Sequence, residues 1–304
     1  MSILVVGSIG IDDVKTPFDE RKAILGGSAS YASVAASFFA PVRLVGVVGD
    51  DFPKKFRQVW ADRDIDLDGL QTQKGETFRW SGEYSYDFNS RKTLSIALNV
   101  FEHFQPKLPD SYRGTPFVML GNIAPKLQAH VLDQMEKPKF VMADTMDLWI
   151  ETAKSDLLEL LKRVDALCLN DSEARELTRE TSLIKAGQRI MDLGPRYVII
   201  KKGEHGALLF SRNEFFTAPA YPLEDIHDPT GAGDSFAGGI VGYLAGQPKI
   251  DFTALKKAIV YGSVVASFTV EAFSLDRLCQ LKQADIEERY QSIKVMSYFD
   301  DVNF

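Results

Sequence analysis

The amino-acid sequence predicts an α/β protein, a three-layer α/β/α sandwich around a mostly parallel central sheet, with a small β-sheet attached. Short apolar runs alternate with longer segments of helical periodicity along most of the chain. This alternation indicates parallel strands whose two faces are covered by helices. One segment around position 80 changes to a period of two residues, which indicates strands outside the central sheet.

The central sheet is predicted from apolar runs that are bounded by turn residues. They cover residues 3–6, 42–48, 117–120, 140–143, 166–169, 197–201 and 207–210. Apolar residues that recur every three or four positions predict the covering helices. They cover residues 29–39, 52–61, 127–135, 157–164, 172–178, 185–193, 236–245 and 252–268.

The small sheet is predicted from residues 77–88, where even positions carry aromatic residues or glycine and odd positions are mostly polar. A period of two places the aromatic side chains on one face of a strand. A turn over residues 89–92 and a second alternating run from position 94 to 100 complete a hairpin. Residues 14–18 are expected to add a strand to it.

Composition bounds the class of protein. The 304 residues are 45% hydrophobic and 25% charged, as in a soluble globule of one large or two modest domains. The net charge of −7, without a long run of Lys and Arg, argues against a nucleic-acid partner. Cys168 and Cys279 lack metal or disulfide spacing. The first residues indicate a buried strand rather than a signal peptide, and no apolar run reaches about 18 residues, so we expect a cytoplasmic protein without a membrane partner.

The most informative segment places Gly231, Ala232 and Gly233 directly before Asp234 and an apolar helical run. Backbone N–H groups at a helix N-terminus can bind an anion, and glycine lets a phosphate approach the backbone closely. A carboxylate there repels phosphate, so its presence needs a functional reason. A general base that accepts the proton of an attacking hydroxyl is such a reason. The alternative is that Asp234 only caps the helix.

Several segments in this order resemble the ribokinase-like, PfkB-type family of carbohydrate and nucleoside kinases. The family signature reads Asp-Thr-Thr-Gly-Ala-Gly-Asp in many members, and this chain has Pro229 at its second position. The resemblance covers nearly the whole chain. It implies the ribokinase-like fold, a small β-sheet that acts as a lid over the substrate, and phosphoryl transfer from ATP with Mg²⁺.

The resemblance implies an acceptor site in the N-terminal part of the chain. Asp12 matches the acid that accepts hydrogen bonds from substrate hydroxyls, and Gly26 and Gly27 match the Gly-Gly signature before a helix. Tyr31 stands where many members have Asn, so a phenol replaces an amide that can contact a diol. From the residues alone, an exposed turn at Asp12 and a plain glycine turn stay open.

The nucleotide side is implied in the same way. The residues matched to ATP binding are Lys202, Gly203, Gly206, Thr230 and Asn170. Asn170 and Glu173 match the Asn-x-x-Glu element that organises Mg²⁺ through water, although Asn followed by Glu three residues later is also a capping box. Residues 225–228 are a candidate for a monovalent cation such as K⁺.

The resemblance also divides the chain. Residues 1–11, 20–74 and 102–304 are assigned to the nucleotide- and substrate-binding core, and residues 12–19 and 75–101 to the lid. The aromatic face of the hairpin would cover the substrate, or pack against the body or a second subunit. A homodimer through the lid is a further expectation.

The resulting hypothesis is an ATP-dependent carbohydrate kinase, with Asp234 as general base and the 231–233 backbone as anion hole. A sugar is the default acceptor. A nucleoside, as in adenosine-type kinases, is the main alternative, because the aromatic face can stack on a base. A Rossmann oxidoreductase is the next rival, but Gly7-x-x-Gly10 lacks the dinucleotide signature. A non-catalytic nucleotide-binding protein with this fold is the last alternative.

Overall fold

The computed structural model describes residues 1–88 and 90–298. Its strands, in chain order, are β1 Ile3–Val6, β2 Gly10–Lys15, β3 Glu20–Gly26, β4 Val42–Gly49, β5 Asp66–Gln73, β6 Phe78–Tyr84, β7 Arg91–Ala97, β8 Phe117–Leu120, β9 Phe140–Asp144, β10 Ala166–Asn170, β11 Tyr197–Lys201, β12 Ala207–Phe210 and β13 Phe215–Ala218.

The helices cover most of the intervening segments. They are α1 Ser28–Ser37, α2 Lys54–Ala61, α3 Asp110–Arg113, α4 Pro125–Gln134, α5 Asp147–Thr152, α6 Lys154–Leu161, α7 Asp171–Thr178, α8 Leu183–Asp192, α9 Ala232–Ala245, α10 Phe252–Thr269, α11 Asp276–Gln280 and α12 Gln283–Met296. Short 3₁₀ helices form at Asn99–His103 and Gly203–His205. Each of the predicted strands and helices of the central body is present, with small shifts at its ends.

The central sheet has the strand order β13-β12-β11-β10-β9-β8-β1-β4-β5. Pairing is parallel from β5 to β11, and β12 and β13 continue as antiparallel strands. Because the carboxyl ends of the parallel strands meet at one edge, side chains that follow different strands converge there. This edge carries the candidate site.

Helices cover both faces of this sheet, as predicted. In β1, Ile3 and Val5 pack into a core with residues of α1, α9 and α10, whereas Leu4 and Val6 pack into a second core with residues of α4, α6 and α8. Burial on both faces explains why β1 is a continuous apolar run. The predicted three-layer α/β/α sandwich is therefore confirmed.

A small sheet is separate from the central one and has the order β3-β2-β6-β7. The predicted hairpin is its β6–β7 pair, which is antiparallel, and β2 joins β6 in parallel. The added strand was predicted over residues 14–18, but β2 begins at Gly10 and ends at Lys15. Of the turn predicted over residues 89–92, Arg91 and Lys92 belong to β7, and Asn89 lies outside the described residues.

The sequence analysis missed β3, β5 and β13, of which β13 is a four-residue strand at the edge of the central sheet. The first half of β3 is charged and exposed, and β5 is a half-buried edge strand with three polar residues at its C-terminal end, so neither shows an apolar run. As a result, residues 10–11 and 20–26, which were assigned to the core, lie in strands of the small sheet. The division into core and lid otherwise stays a prediction.

Candidate active site

The segment before α9 forms the centre of the candidate site. Gly231 is the N-terminal cap of α9, has a left-handed φ of 77°, and offers no side-chain cap. A Cβ on Gly231 would overlap the Tyr31 ring, so only glycine fits this turn. The helix therefore begins with backbone N–H groups that no capping side chain occupies, which is the arrangement that binds an anion.

Asp234 lies in the first turn of α9. Burial raises the pKa of its carboxyl to about 7, and the nearby Asp144 carboxylate contributes to this rise. Lys201 and Arg91 oppose this shift. A carboxyl that titrates close to neutral pH can accept a proton and release it again, which is what a general base requires.

Lys201 is a site residue that the sequence analysis did not select. It ends β11, and its Nζ lies 3.0 Å from Asp144 Oδ1 at the end of β9. A Cβ on Gly233 would lie 3.2 Å from the same Nζ, so the ammonium group borders the start of α9. Burial lowers the pKa of Lys201, but the surrounding carboxylates outweigh that effect and keep its pKa above the usual value, so Lys201 is charged.

Asn170 and Glu173 form the capping box that their spacing allows. The Glu173 backbone N–H donates to Asn170 Oδ1 at 2.8 Å, and the Asn170 N–H donates to Glu173 Oε2 at 2.7 Å. Burial, with a contribution from Asp144, raises the pKa of Glu173 to about 7. Such a buried carboxyl would ionise more readily beside a cation, so the structural role and a role in metal binding are compatible.

The predicted acceptor residues lie together where β2 and β3 meet α1. A Cβ on Gly26 would overlap the Asp12 carboxylate, so this glycine makes room for it. Gly27 caps α1 with a φ of 92°. Burial, together with Asp228, raises the pKa of Asp12 to about 8. Within the described part of the chain, Asp12 Oδ1 and Tyr31 Oη are buried without a hydrogen-bond partner.

Two buried polar atoms without partners are costly in a folded protein, because each has lost its hydrogen bonds to water. Asp12 is 4% and Tyr31 1% exposed. A Cβ on Gly10 would lie 2.7 Å from the Phe78 ring and 3.2 Å from Asp12 Oδ1, so an aromatic ring borders the same space. Hydroxyl groups of a ligand would supply the missing hydrogen bonds.

The small sheet reaches the loop before α9. Thr230 Oγ1 donates to Tyr84 Oη at 3.0 Å, and burial raises the pKa of Tyr84 to about 12. Arg91 pairs with Tyr84 across the β6–β7 ladder, and its guanidinium lies 5.9 Å from the Trp80 ring. Arg91 also lowers the pKa of Asp234, which places a cation of the small sheet within electrostatic reach of the candidate base.

A cavity of about 400 Å³, here called the α9 cavity, borders the N-terminal end of α9. Its lining includes Lys201, Gly203, Gly206, Tyr221, Gly233 and Ser267. Gly203 and Gly206, which were predicted to bind nucleotide, lie in this lining, and their contact with ATP stays a prediction. Lys202, Thr230 and Asn170 are not among the lining residues, so their contact with ATP stays a prediction.

Asp228 is fully buried between this cavity and the small sheet. Its oxygens accept hydrogen bonds from the Thr230 and Ser274 N–H groups at 2.9 and 3.4 Å. Asp228 therefore fixes the loop before α9.

Across residues 1–88 and 90–298, no group of three or more His, Cys, Asp or Glu side chains is arranged to hold a metal ion. In the same residues, no helix is both long and apolar enough to cross a membrane.

The fold and the site are those expected of a phosphotransferase that acts on a hydroxyl acceptor, and comparison with known proteins shows that class. The family model for pfkB family carbohydrate kinases matches residues 3–280. A cytidine kinase of Thermococcus kodakarensis is 31% identical over 257 residues, which are 82% of this chain and 90% of that protein. The chain therefore belongs to the pfkB carbohydrate kinase family.

Solved structures show the same fold. A nucleoside kinase of Burkholderia thailandensis in complex with inosine superimposes with a TM-score of 0.79 at 17% identity, over 96% of this chain and 98% of that one. Aminoimidazole riboside kinase of Salmonella enterica, complexed with aminoimidazole riboside and an ATP analogue, gives 0.75 at 21% identity, over 95% and 100%. The ribokinase-like fold predicted from the sequence is confirmed.

Proposed function

We propose that this kinase transfers the γ-phosphoryl group of ATP to a hydroxyl of a nucleoside, with Asp234 as the general base. The observation that carries the proposal is the half-buried carboxyl of Asp234 in the first turn of α9, three residues after the uncapped backbone of Gly231. The α9 cavity borders the start of α9 at Ala232 and Gly233, and the ring of Tyr31, whose Oη has no partner, lies against Gly231. Donor and acceptor would meet at Asp234.

In the proposed reaction, the acceptor oxygen attacks the γ-phosphorus and its proton passes to Asp234. The bond between the γ-phosphorus and the bridging oxygen of ADP breaks, and ADP leaves with the bond electrons. The backbone of residues 231–233 and the Lys201 ammonium lie beside the transferring group, where they stabilise its negative charge. Asp144 holds Lys201 in place through its 3.0 Å ion pair.

Mg²⁺ would be held through Glu173 and Asn170. Mg²⁺ prefers oxygen ligands, keeps several waters, and often binds through one or two carboxylates and the substrate phosphates, so one buried carboxylate fits such a site. The pKa of Glu173, raised to about 7 by burial, would fall beside a cation. When bound, the ion would neutralise phosphate charge. K⁺ near residues 225–228 stays a prediction.

A nucleoside is favoured over a sugar as the acceptor for two reasons. The cytidine kinase relative and the inosine complex of a fold neighbour both concern nucleosides. In this chain, the Phe78 ring borders the space beside Asp12, so the site combines oxygens for hydroxyl groups with a ring for stacking on a base. A sugar is the second candidate, because it would satisfy the same oxygens of Asp12 and Tyr31.

The experiment is ADP production by the purified protein with ATP and Mg²⁺ against a panel of ribonucleosides, 2′-deoxyribonucleosides and free sugars. Turnover that depends on a ribonucleoside supports the proposal. Turnover with free sugars alone would move the assignment to the sugar. ATP binding measured by calorimetry without turnover on any acceptor would contradict the proposed kinase reaction.

We further propose that two copies associate through β7, the edge strand of the small sheet. Every residue of β7 is exposed, and Leu94 and Ile96 are 51% and 58% exposed. An exposed apolar edge strand is a template for pairing with another strand. Sedimentation velocity is expected to show a dimer that Ile96→Lys converts to a monomer, and a wild-type monomer at micromolar concentration would contradict this.

A further inference from the structure

The C-terminal helix α12 lies beyond the residues that the family model matches, yet one of its side chains reaches the lining of the α9 cavity. Arg289 is 13% exposed. Its guanidinium carbon lies 3.4 Å from the centre of the Phe268 ring and 4.4 Å from that of Tyr221. Its Nη1 donates to Ser267 Oγ at 3.0 Å, and its Nη2 to Glu271 Oε1 at 2.7 Å.

Two of these partners, Tyr221 and Ser267, line the cavity. Ser267 belongs to α10 and is fixed by the helix, whereas Tyr221 lies in the loop between β13 and α9, where no ladder hydrogen bonds hold the backbone. A cation over an aromatic face is attracted by the charge distribution of the ring. Arg289 therefore attaches a loop side chain to the helical side of the cavity.

The arrangement depends on a guanidinium group. A planar guanidinium can contact the faces of two rings while its N–H groups donate at its edge, whereas an ammonium group is a compact charge. Glu271 balances the charge of Arg289, and it also accepts from Arg277 Nε at 3.0 Å. The largely buried cation is thus paired, as a buried charge must be.

We propose that Arg289 is a positioning residue for the phosphate donor, because it fixes Tyr221 and Ser267 as the surface against which the nucleoside part of ATP binds. This inference rests on the proposed function. Lys201 and Gly233 line the same cavity beside the start of α9, so the phosphates would lie there and the nucleoside part would extend toward Tyr221. Arg289 itself would touch neither.

Steady-state kinetics of Arg289→Gln and Arg289→Lys test the proposal. We expect the KM for ATP to rise about tenfold in Arg289→Gln, with kcat and the acceptor KM changed by less than about twofold. The preference for ATP over GTP should fall, because Tyr221 is no longer held. Arg289→Lys keeps the pairing with Glu271, so it should keep the melting temperature but not the ATP affinity.

Arg277→Gln is the matched control. Arg277 pairs with the same Glu271 and lies 5.1 Å from the same Phe268 ring, but no contact joins it to Tyr221 or Ser267 in the described chain. An unchanged KM for ATP in Arg289→Gln, or an equal rise in Arg277→Gln, would overturn the proposal. Tyr221→Ala should reproduce the KM effect, and the double variant should show no further increase.

Calorimetric titration with a non-hydrolysable ATP analogue separates this inference from the proposed function. Weaker analogue binding in Arg289→Lys, whose fold is retained, supports the positioning role even if no acceptor is turned over. Wild-type turnover with unchanged analogue binding in both Arg289 variants would refute the positioning role alone. Failure of wild type to bind the analogue would refute both.

Discussion

Two regions next to the α9 N-terminus, the proposed acceptor side and the proposed donor side, are built differently. On the acceptor side, Asp12 and Tyr31 are buried with unpartnered oxygens, and Asp228 and Asp234 add carboxyl groups nearby. On the donor side, the α9 cavity is lined mainly by apolar atoms, with Lys201 beside the start of α9. We therefore expect the proposed acceptor side to select mainly by hydrogen bonds and the proposed donor side mainly by shape. Single polar substitutions should have large effects on the first and smaller, graded effects on the second.

The largest effect is expected at the point where the two sides meet. Asp234→Asn should lower kcat by at least about 10³-fold, because the amide cannot accept the proton of the acceptor hydroxyl. ATP binding should hold or tighten, since a negative charge beside the phosphates is removed. Asp68→Asn, at an exposed carboxylate on β5, is the control and should match wild type. A kcat near the wild-type value in Asp234→Asn would rule out Asp234 as the base.

A second prediction concerns the acceptor side alone. Asp12→Asn should lower kcat/KM for the acceptor about 10²-fold while the KM for ATP changes little. Burial holds Asp12 largely protonated in the free protein, but acceptor hydroxyls that donate to it would favour the ionised carboxylate, and an amide cannot supply that charge. An equal loss of kcat/KM for ATP and for the acceptor would show that Asp12 supports the fold of the whole site. Initial rates over a matrix of both substrate concentrations separate the two results.

The same substitution should affect stability in the opposite direction. The folded-state pKa of Asp12 is raised by burial to about 8, above its ordinary value of 3.8. Between these values the folded protein retains a proton that the unfolded chain releases, so the free energy of unfolding falls as the pH rises through this window. An asparagine side chain at this position does not titrate and has no such dependence. The melting temperature of Asp12→Asn should therefore exceed that of wild type increasingly from pH 4 to pH 8, and a constant difference would contradict the raised pKa.

The smallest effect is expected from the small sheet. Arg91 lowers the pKa of Asp234, so Arg91→Gln should move the acidic limb of the kcat profile to higher pH and lower kcat at pH 7 by about three- to tenfold. Lys92→Gln, which removes the same charge from the same strand, is the control. Lys92 pairs with Glu83, and because side chains alternate along a strand, it lies on the face opposite to that of Arg91. If the acidic limb moved equally in both variants, the effect would come from the overall charge of the strand and not from the position of Arg91 beside Asp234.

The sequence by itself determined seven of the nine strands of the central sheet and the start of α9. The apolar run of β1 predicts a strand buried on both faces, because few other structures bury consecutive apolar residues in so short a segment. The Gly231-Ala232-Gly233-Asp234 segment predicts an anion site because its chemistry depends on neighbouring residues and on one helix end. Such local features can be interpreted from the chain alone.

Only the tertiary structure decided the features that depend on distant partners. Lys201 is one of two adjacent lysines, and its role follows from Asp144, which lies 57 positions earlier and meets it only when β9 and β11 end at the same edge. Arg289 contacts the lining of the α9 cavity because α12 packs against α10, and no local pattern records that contact. The polar edge strands β3 and β5 likewise form by pairing, not by an apolar signal of their own. Local periodicity determines which faces are buried, whereas the meeting of remote charged and polar groups depends on how those faces pack.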